Sequence, residues 1–176
     1  MQLFFKKENE MQVTFAGNPL TLVGAPQRRV GDPAPDFTVV AHDLSEKHLT
    51  DFKEKVLILS VVPSLDTPVC DAQTRRFNEE AAKLPNVKIL TISADLPFAQ
   101  ARWCGAAGID AVETLSDHRE TSFGLAYGLL VKELRLLARA VLVLDHARNI
   151  VYQEIVPEMT NEVNFTAALE AAKSVA

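Results

Sequence analysis

The chain has 176 residues, 48% of them hydrophobic and 23% charged, a composition that fits one soluble globular domain with a sizeable core. A net charge of −5 argues against a nucleic-acid surface, and no apolar run approaches the ~20 residues of a membrane-spanning helix. The N-terminus, Met1-Gln2-Leu3-Phe4-Phe5-Lys6-Lys7, lacks the basic-then-apolar order of a signal peptide, so a cytoplasmic location is expected. The 2 cysteines are too few for a disulfide scaffold and lack zinc-ligand spacing. In a reducing compartment such thiols matter more as chemistry than as staples.

Residues 1–24 suggest an N-terminal β-hairpin. Met11, Val13 and Phe15 alternate with Gln12 and Thr14; Gly17-Asn18-Pro19 offers a turn, and 20–23 a return strand. The prolines of Gly31-Asp32-Pro33-Ala34-Pro35-Asp36-Phe37 fix the path into a short strand at 37–40. Residues 49–52 suit one helical turn. The apolar run 56–62 fits a parallel strand covered on both faces. A helix over 68–84 carries Phe77, Ala81 and Leu84 inward, with Arg75/Glu79 and Arg76/Glu80 as i,i+4 pairs on its outer face.

A second central strand spans 87–93. A helix over 97–107 ends at Gly105 or Gly108, with Cys104 in its last turns. A short helix is expected at 118–123. Strands at 138–145 and 150–156 flank Ala147-Arg148-Asn149. The last helix turns Phe165, Ala168, Leu169 and Ala172 inward. No linker or repeat interrupts this order, so residues 1–176 form one expected domain. A βαβ crossover followed by an antiparallel pair and a closing helix predicts an α/β, thioredoxin-like fold. It has a central mixed β-sheet flanked by helices, with the N-terminal hairpin as an extension.

The stretch Pro63-Ser64-Leu65-Asp66-Thr67-Pro68-Val69-Cys70 organises this frame. A strand ends, a tight loop follows, and a helix opens with Thr67 at the N-cap, Pro68 at the first position and Cys70 at the third. Unpaired N–H groups and the positive end of the helix dipole favour a thiolate there, and the Thr67 hydroxyl can turn towards the sulfur. Carboxyl ends of strands are where open α/β sheets place reacting groups. The opposing reading is a small buried cysteine. The loop holds no glycine and does not resemble a phosphate cradle.

Arg139 lies in the apolar run 136–144, where a charge needs a partner. A thiolate would serve; so would an ordinary carboxylate, or a place at a strand edge. Cys104 cannot form a C-x-x-C pair with Cys70 and is either a second reactive thiol or a buried structural one beside Trp103. His42, His48, His118 and His146 have no helical or hairpin spacing to one another or to a cysteine, and each is expected at the surface.

These residues match a known family. The chain resembles the bacterial thiol peroxidases, the atypical two-cysteine peroxiredoxins, over nearly its full length. Five motifs in order carry the resemblance: Gly31…Ala34-Pro35-Asp36-Phe37, Pro63…Thr67-Pro68-Val69-Cys70, Ser93-Ala94-Asp95-Leu96-Pro97-Phe98-Ala99, Arg102-Trp103-Cys104-Gly105 and Ala138-Arg139-Ala140-Val141. Trp103 stands where a phenylalanine is expected. The resemblance implies that Cys70 is the peroxidatic thiolate, oriented with the peroxide by Thr67 and Arg139. It implies that Pro63 shields the pocket, and that Cys104 is the resolving thiol of the same chain. It further implies a homodimer recycled by thioredoxin, a preference for alkyl hydroperoxides over hydrogen peroxide, and no haem or metal. A redox sensor that passes oxidation to a partner protein, or a thioredoxin-like interaction module with inert thiols, are the competing readings. The peroxidase reading requires a sulfur that is anionic and open to a small oxidant. It also predicts that the first turn after Cys70 unwinds so that the sulfur can reach Cys104.

Overall fold

The computed structural model describes residues 11–176. Residues 1–10 of the expected hairpin lie outside the described residues. The hairpin itself is present: β1 (Val13–Phe15) pairs antiparallel with β2 (Asn18–Leu20). Its turn falls on Ala16 and Gly17, with φ of 48° and 80°, rather than on Gly17-Asn18-Pro19. Two positive φ values match the right-handed twist of the flanking strands, which frees Asn18 and Pro19 to join the ladder. The return strand stops early. β3 (Leu22–Val23) instead pairs with β9 (Leu130–Val131), which pairs with β10 (Leu136–Leu137) in a separate three-stranded sheet.

The central sheet has seven strands. In spatial order they are β12 (Ile150–Ile155), β11 (Ala140–Leu144), β6 (Val56–Val61), β7 (Val87–Ser93), β8 (Glu113–Ser116), β4 (Thr38–Val40) and β5 (Glu46–His48). β6–β7 and β7–β8 are parallel and the other pairs antiparallel, so the sheet is mixed, as expected. β6 lies inside the sheet and is buried along its whole length. Its residues alternate between two cores. Leu57, Leu59 and Val61 join Leu90, Ile92, Leu115 and Phe123 on one face. Val56 and Ile58 join Phe77, Val141, Val143 and Phe165 on the other. Ser60 points to that second face, where Gln73 meets it.

Two helices bring apolar side chains to the second face, α1 (Pro68–Ala81) and α4 (Phe165–Val175), while α2 (Pro97–Ala107) meets the sheet through polar contacts, Gln100 donating to Ser93 Oγ at 2.9 Å. The outer charges of α1 pair differently from the sequence expectation. Arg75 bonds Asp71, one turn earlier, at 2.8 Å, and Arg76 stacks over the Phe165 ring at 4.2 Å. α3 (Ser122–Tyr127) packs on the first face and begins four residues later than the expected 118–123. Asp117 explains the shift. Its carboxylate accepts the Phe123 and Gly124 N–H groups at 2.8 and 2.9 Å and so sets the helix start. Burial pushes this carboxyl up from 3.8 to about 6, against the lowering effect of those two bonds.

Candidate active site

β6 delivers the chain to the 63–67 loop, and α1 opens immediately behind it. Thr67 has the extended backbone of an N-cap, φ −100° and ψ 145°, but its side chain does not cap the helix. The hydroxyl lies 2.6 Å from Cys70 Sγ and 3.0 Å from the Ser64 carbonyl. Its oxygen therefore faces the sulfur across the first turn, as the sequence suggested.

Arg139 reaches the same sulfur from another part of the sheet. It immediately precedes β11, between β6 and β12, and is 2% exposed. Nη2 donates to Cys70 Sγ at 3.3 Å. Nε donates to the Met159 carbonyl at 2.9 Å, and Nη1 to Gln73 Oε1 at 3.0 Å. Gln73 in turn donates to Ser60 at 2.8 Å. These partners are all neutral apart from the thiol, and no carboxylate pairs with Arg139 among the described residues. The guanidinium is held by a carbonyl, an amide and the sulfur, so a thiolate is the anion that would balance it.

The loop is anchored by Asp95. Its carboxylate accepts from Ser64 Oγ at 2.7 Å, Leu65 N at 2.8 Å and Ser93 Oγ at 2.7 Å. Pro63 is buried between Val62 and Leu65 in sequence, and those two side chains pack with Cys70 and Trp103. The expectation of an open sulfur is not met. Cys70 is 0% exposed, because the apolar side chains of Val62, Leu65 and Trp103 cover what the two donors leave free. The half-buried Thr67 and Val69 stand beside it at the surface.

Cys104 is buried in the last turns of α2, and both cysteines are free thiols. Its sulfur does not share the partners of Cys70. It lies 3.4 Å from Thr114 Oγ1 on β8, and burial pushes the thiol up. Thr114 Oγ1 is also hydrogen-bonded to Nε2 of His42. His42, expected as a surface side chain, is exposed yet is linked to a cysteine through one hydroxyl.

The family now has direct support. A model described as Redoxin matches residues 29–169. The thiol peroxidase of Bacillus subtilis is 64% identical over 164 residues, 93% of this chain and 98% of that protein. The thiol peroxidase of Oceanobacillus iheyensis is 60% identical, over 89% of this chain and 95% of its own. The chain belongs to the bacterial thiol peroxidases. Among solved structures, a peroxiredoxin-like protein from Aquifex aeolicus superposes with a TM-score of 0.88 at 41% identity, covering 94% of this chain and 98% of the other. Thiol peroxidase from Chromobacterium violaceum gives 0.85 at 22% identity, covering 94% and 97%, a likeness of fold.

As a member of the peroxiredoxins, this thiol peroxidase carries supports for its cysteine that sequence reasoning did not single out. Gln73, itself fixed by Ser60, holds the guanidinium, and Asp95 holds the loop. The Trp103 indole N–H donates to Asp71 Oδ1 at 3.0 Å. Asp71 also accepts from Arg75, whose guanidinium lies 5.6 Å from the Trp103 ring centre. Asp71 and Trp103 each neighbour a cysteine in the chain, so this cluster ties the two cysteine-bearing helices together. Their adjacency to Cys70 and Cys104 was visible in the sequence; their mutual contact was not. Among the described residues no group of three or more His, Cys, Asp or Glu side chains converges as metal ligands would, and no helix is long and apolar enough to cross a membrane.

Proposed function

We propose that this peroxidase reduces hydroperoxides, alkyl hydroperoxides in preference to hydrogen peroxide, through Cys70, and that Cys104 resolves the oxidised cysteine within the same chain. The observation that carries the proposal is the convergence of the Thr67 hydroxyl and the Arg139 guanidinium on one sulfur, from two different elements of the fold. In the proposed step Cys70 Sγ attacks the terminal peroxide oxygen. The O–O bond breaks, its electron pair leaves on the other oxygen, and that oxygen takes a proton and departs as an alcohol or water. Cys70 is left as a sulfenic acid. Arg139, the Thr67 hydroxyl and the N–H groups of the α1 first turn stabilise charge as it moves from sulfur to oxygen. The apolar cover of Val62, Leu65 and Trp103 suits an alkyl group better than a hydroxyl.

Burial of Cys70 adds a condition. The apolar cover must part for peroxide to reach the sulfur while the first turn of α1 stays formed, and that turn must then unwind for disulfide formation. Cys104 then displaces the sulfenic hydroxyl as water, which leaves a Cys70–Cys104 disulfide. Thioredoxin reduces this by thiol exchange. The expected homodimer, the cytoplasmic location and the shielding role of Pro63 belong to the same reading.

The test is peroxide-dependent oxidation of thioredoxin, coupled to its reductase, by wild type, Cys70→Ser and Cys104→Ser. The proposal expects multiple turnovers in wild type, none in Cys70→Ser, and loss of thioredoxin-linked turnover in Cys104→Ser. Unchanged turnover in Cys70→Ser would overturn it. Slow, single oxidation of wild type would instead support a redox sensor.

A further inference from the structure

Resting on the Cys70–Cys104 cycle proposed above, we infer that Thr114 and His42 form a proton relay for the resolving thiol. Cys104 gives its proton to the Thr114 hydroxyl as that hydroxyl gives its own to Nε2 of His42.

Three elements build the relay. Cys104 lies near the end of α2, and Thr114 stands on β8 with 2% of its surface exposed. His42 sits on the turn between β4 and β5, pinned by the Ala41–Ser45 backbone bond of 2.9 Å. The sulfur contacts Thr114 Oγ1 at 3.4 Å, and the same oxygen is hydrogen-bonded to His42 Nε2. Past the relay lies a cavity of about 500 Å³ that His42, Cys104 and Thr114 help to line. Asp43, Lys47, Lys88, Asp110 and Glu113 are the charged groups facing it, and Lys88 and Glu113 pair at 3.2 Å. Charges of both signs are present there.

The chemistry needs such a route. Only a thiolate attacks a sulfenic sulfur efficiently, and the burial that places Cys104 also disfavours its charged form. Thr114 has one proton and can donate it to either neighbour. Before transfer, Sγ–H donates to Oγ1 and Oγ1–H donates to Nε2. After transfer, Nε2–H donates to Oγ1 and Oγ1–H donates to the thiolate. Both arrangements keep every hydrogen bond, and they differ by one proton moved from sulfur to imidazole. The thiolate then attacks Cys70 Sγ, the S–O bond breaks, and the hydroxide takes the imidazolium proton, through solvent, to leave as water.

The experiment is stopped-flow fluorescence of Trp103, the sole tryptophan, after one equivalent of hydrogen peroxide. A first phase reports oxidation of Cys70 and a second reports condensation; thiol titration of quenched samples confirms the disulfide. The relay predicts that His42→Asn and Thr114→Val slow the second phase at least about tenfold near neutral pH. It also predicts that their second phase climbs more steeply with pH than wild type, while Thr114→Ser keeps the wild-type profile. An unchanged second phase in His42→Asn at every pH overturns the relay. His42 is exposed, so that variant decides the matter even if Thr114→Val fails to fold. A wild-type protein that forms no disulfide overturns the Cys70–Cys104 cycle instead.

Discussion

The Thr67 side chain leaves a helix cap unmade. A capping hydroxyl is worth about 1 kcal/mol, yet this one turns to Cys70 Sγ and the Ser64 carbonyl. The extended backbone of an N-cap thus places the residue, and the sulfur claims its hydroxyl. Arg139 likewise turns to the sulfur, its other partners being neutral. In the proposed reaction both groups stabilise charge that moves during attack on peroxide. Thr67→Val and Arg139→Gln are therefore expected to lower kcat/KM for peroxide by about 10²–10³ each, as loss of one preorganised donor does. Thr67→Ser should stay near wild type. Steady-state assays at saturating reductant check this, with circular dichroism to confirm folding. Both residues were legible in the sequence, Thr67 from its spacing to Cys70 and Arg139 as a charge in an apolar run. Gln73 was not, because a polar residue on a helix gives no sign that it meets an arginine 66 residues away.

At the scale of elements, the first turn of α1 is held shut by its neighbour. Asp71 takes the Trp103 N–H from α2 and the Arg75 N–H from its own helix. Unwinding that turn breaks both bonds. The Arg75 pair is exposed and adds little, and the half-buried Trp103 bond holds the closed form by about 1 kcal/mol. Asp71→Ala is expected to speed condensation about fivefold, which is that free energy read as a rate. It should also lessen over-oxidation at high peroxide, because the sulfenic acid then waits a shorter time for Cys104. Quenched thiol titration and mass spectrometry of Cys70 measure the two effects. Unchanged condensation would show that the turn opens without breaking this cluster. The elements that set this geometry, 56–62, 68–84, 87–93 and 97–107, were clear from apolar runs, caps and helical periodicity. The two-residue strands β3, β9 and β10 were not, since so short a segment has no period to detect. α3 was misplaced because its start is set by Asp117 through a tertiary turn rather than by a local cap.

Across the whole molecule, two cores lie on opposite faces of one sheet, and the second holds the helix that carries Cys70 in place through Phe77. The seven-stranded mixed sheet follows from the βαβ order, whereas the burial of Cys70 depends on side chains from three separate segments and could not be read locally. Stability carries a signature of this packing. Asp117 holds its proton more tightly folded, at about 6, than the usual 3.8. Its contribution is therefore full below about pH 4 and is lost as pH rises through 6, a difference of roughly 2–3 kcal/mol. Between pH 7 and pH 5 this group should raise the denaturation midpoint, and Asp117→Asn should flatten that part of the wild-type curve. Parallel curves for the two proteins would contradict the burial argument.

The most direct test of the central claim is where the first oxygen lands. Cys104→Ser is mixed with one equivalent of hydroperoxide, trapped with a sulfenic-acid reagent and analysed by peptide mass spectrometry. The account predicts the adduct on Cys70, formed as fast as peroxide is consumed. A Cys70 that remains an unmodified thiol while peroxide disappears would contradict it.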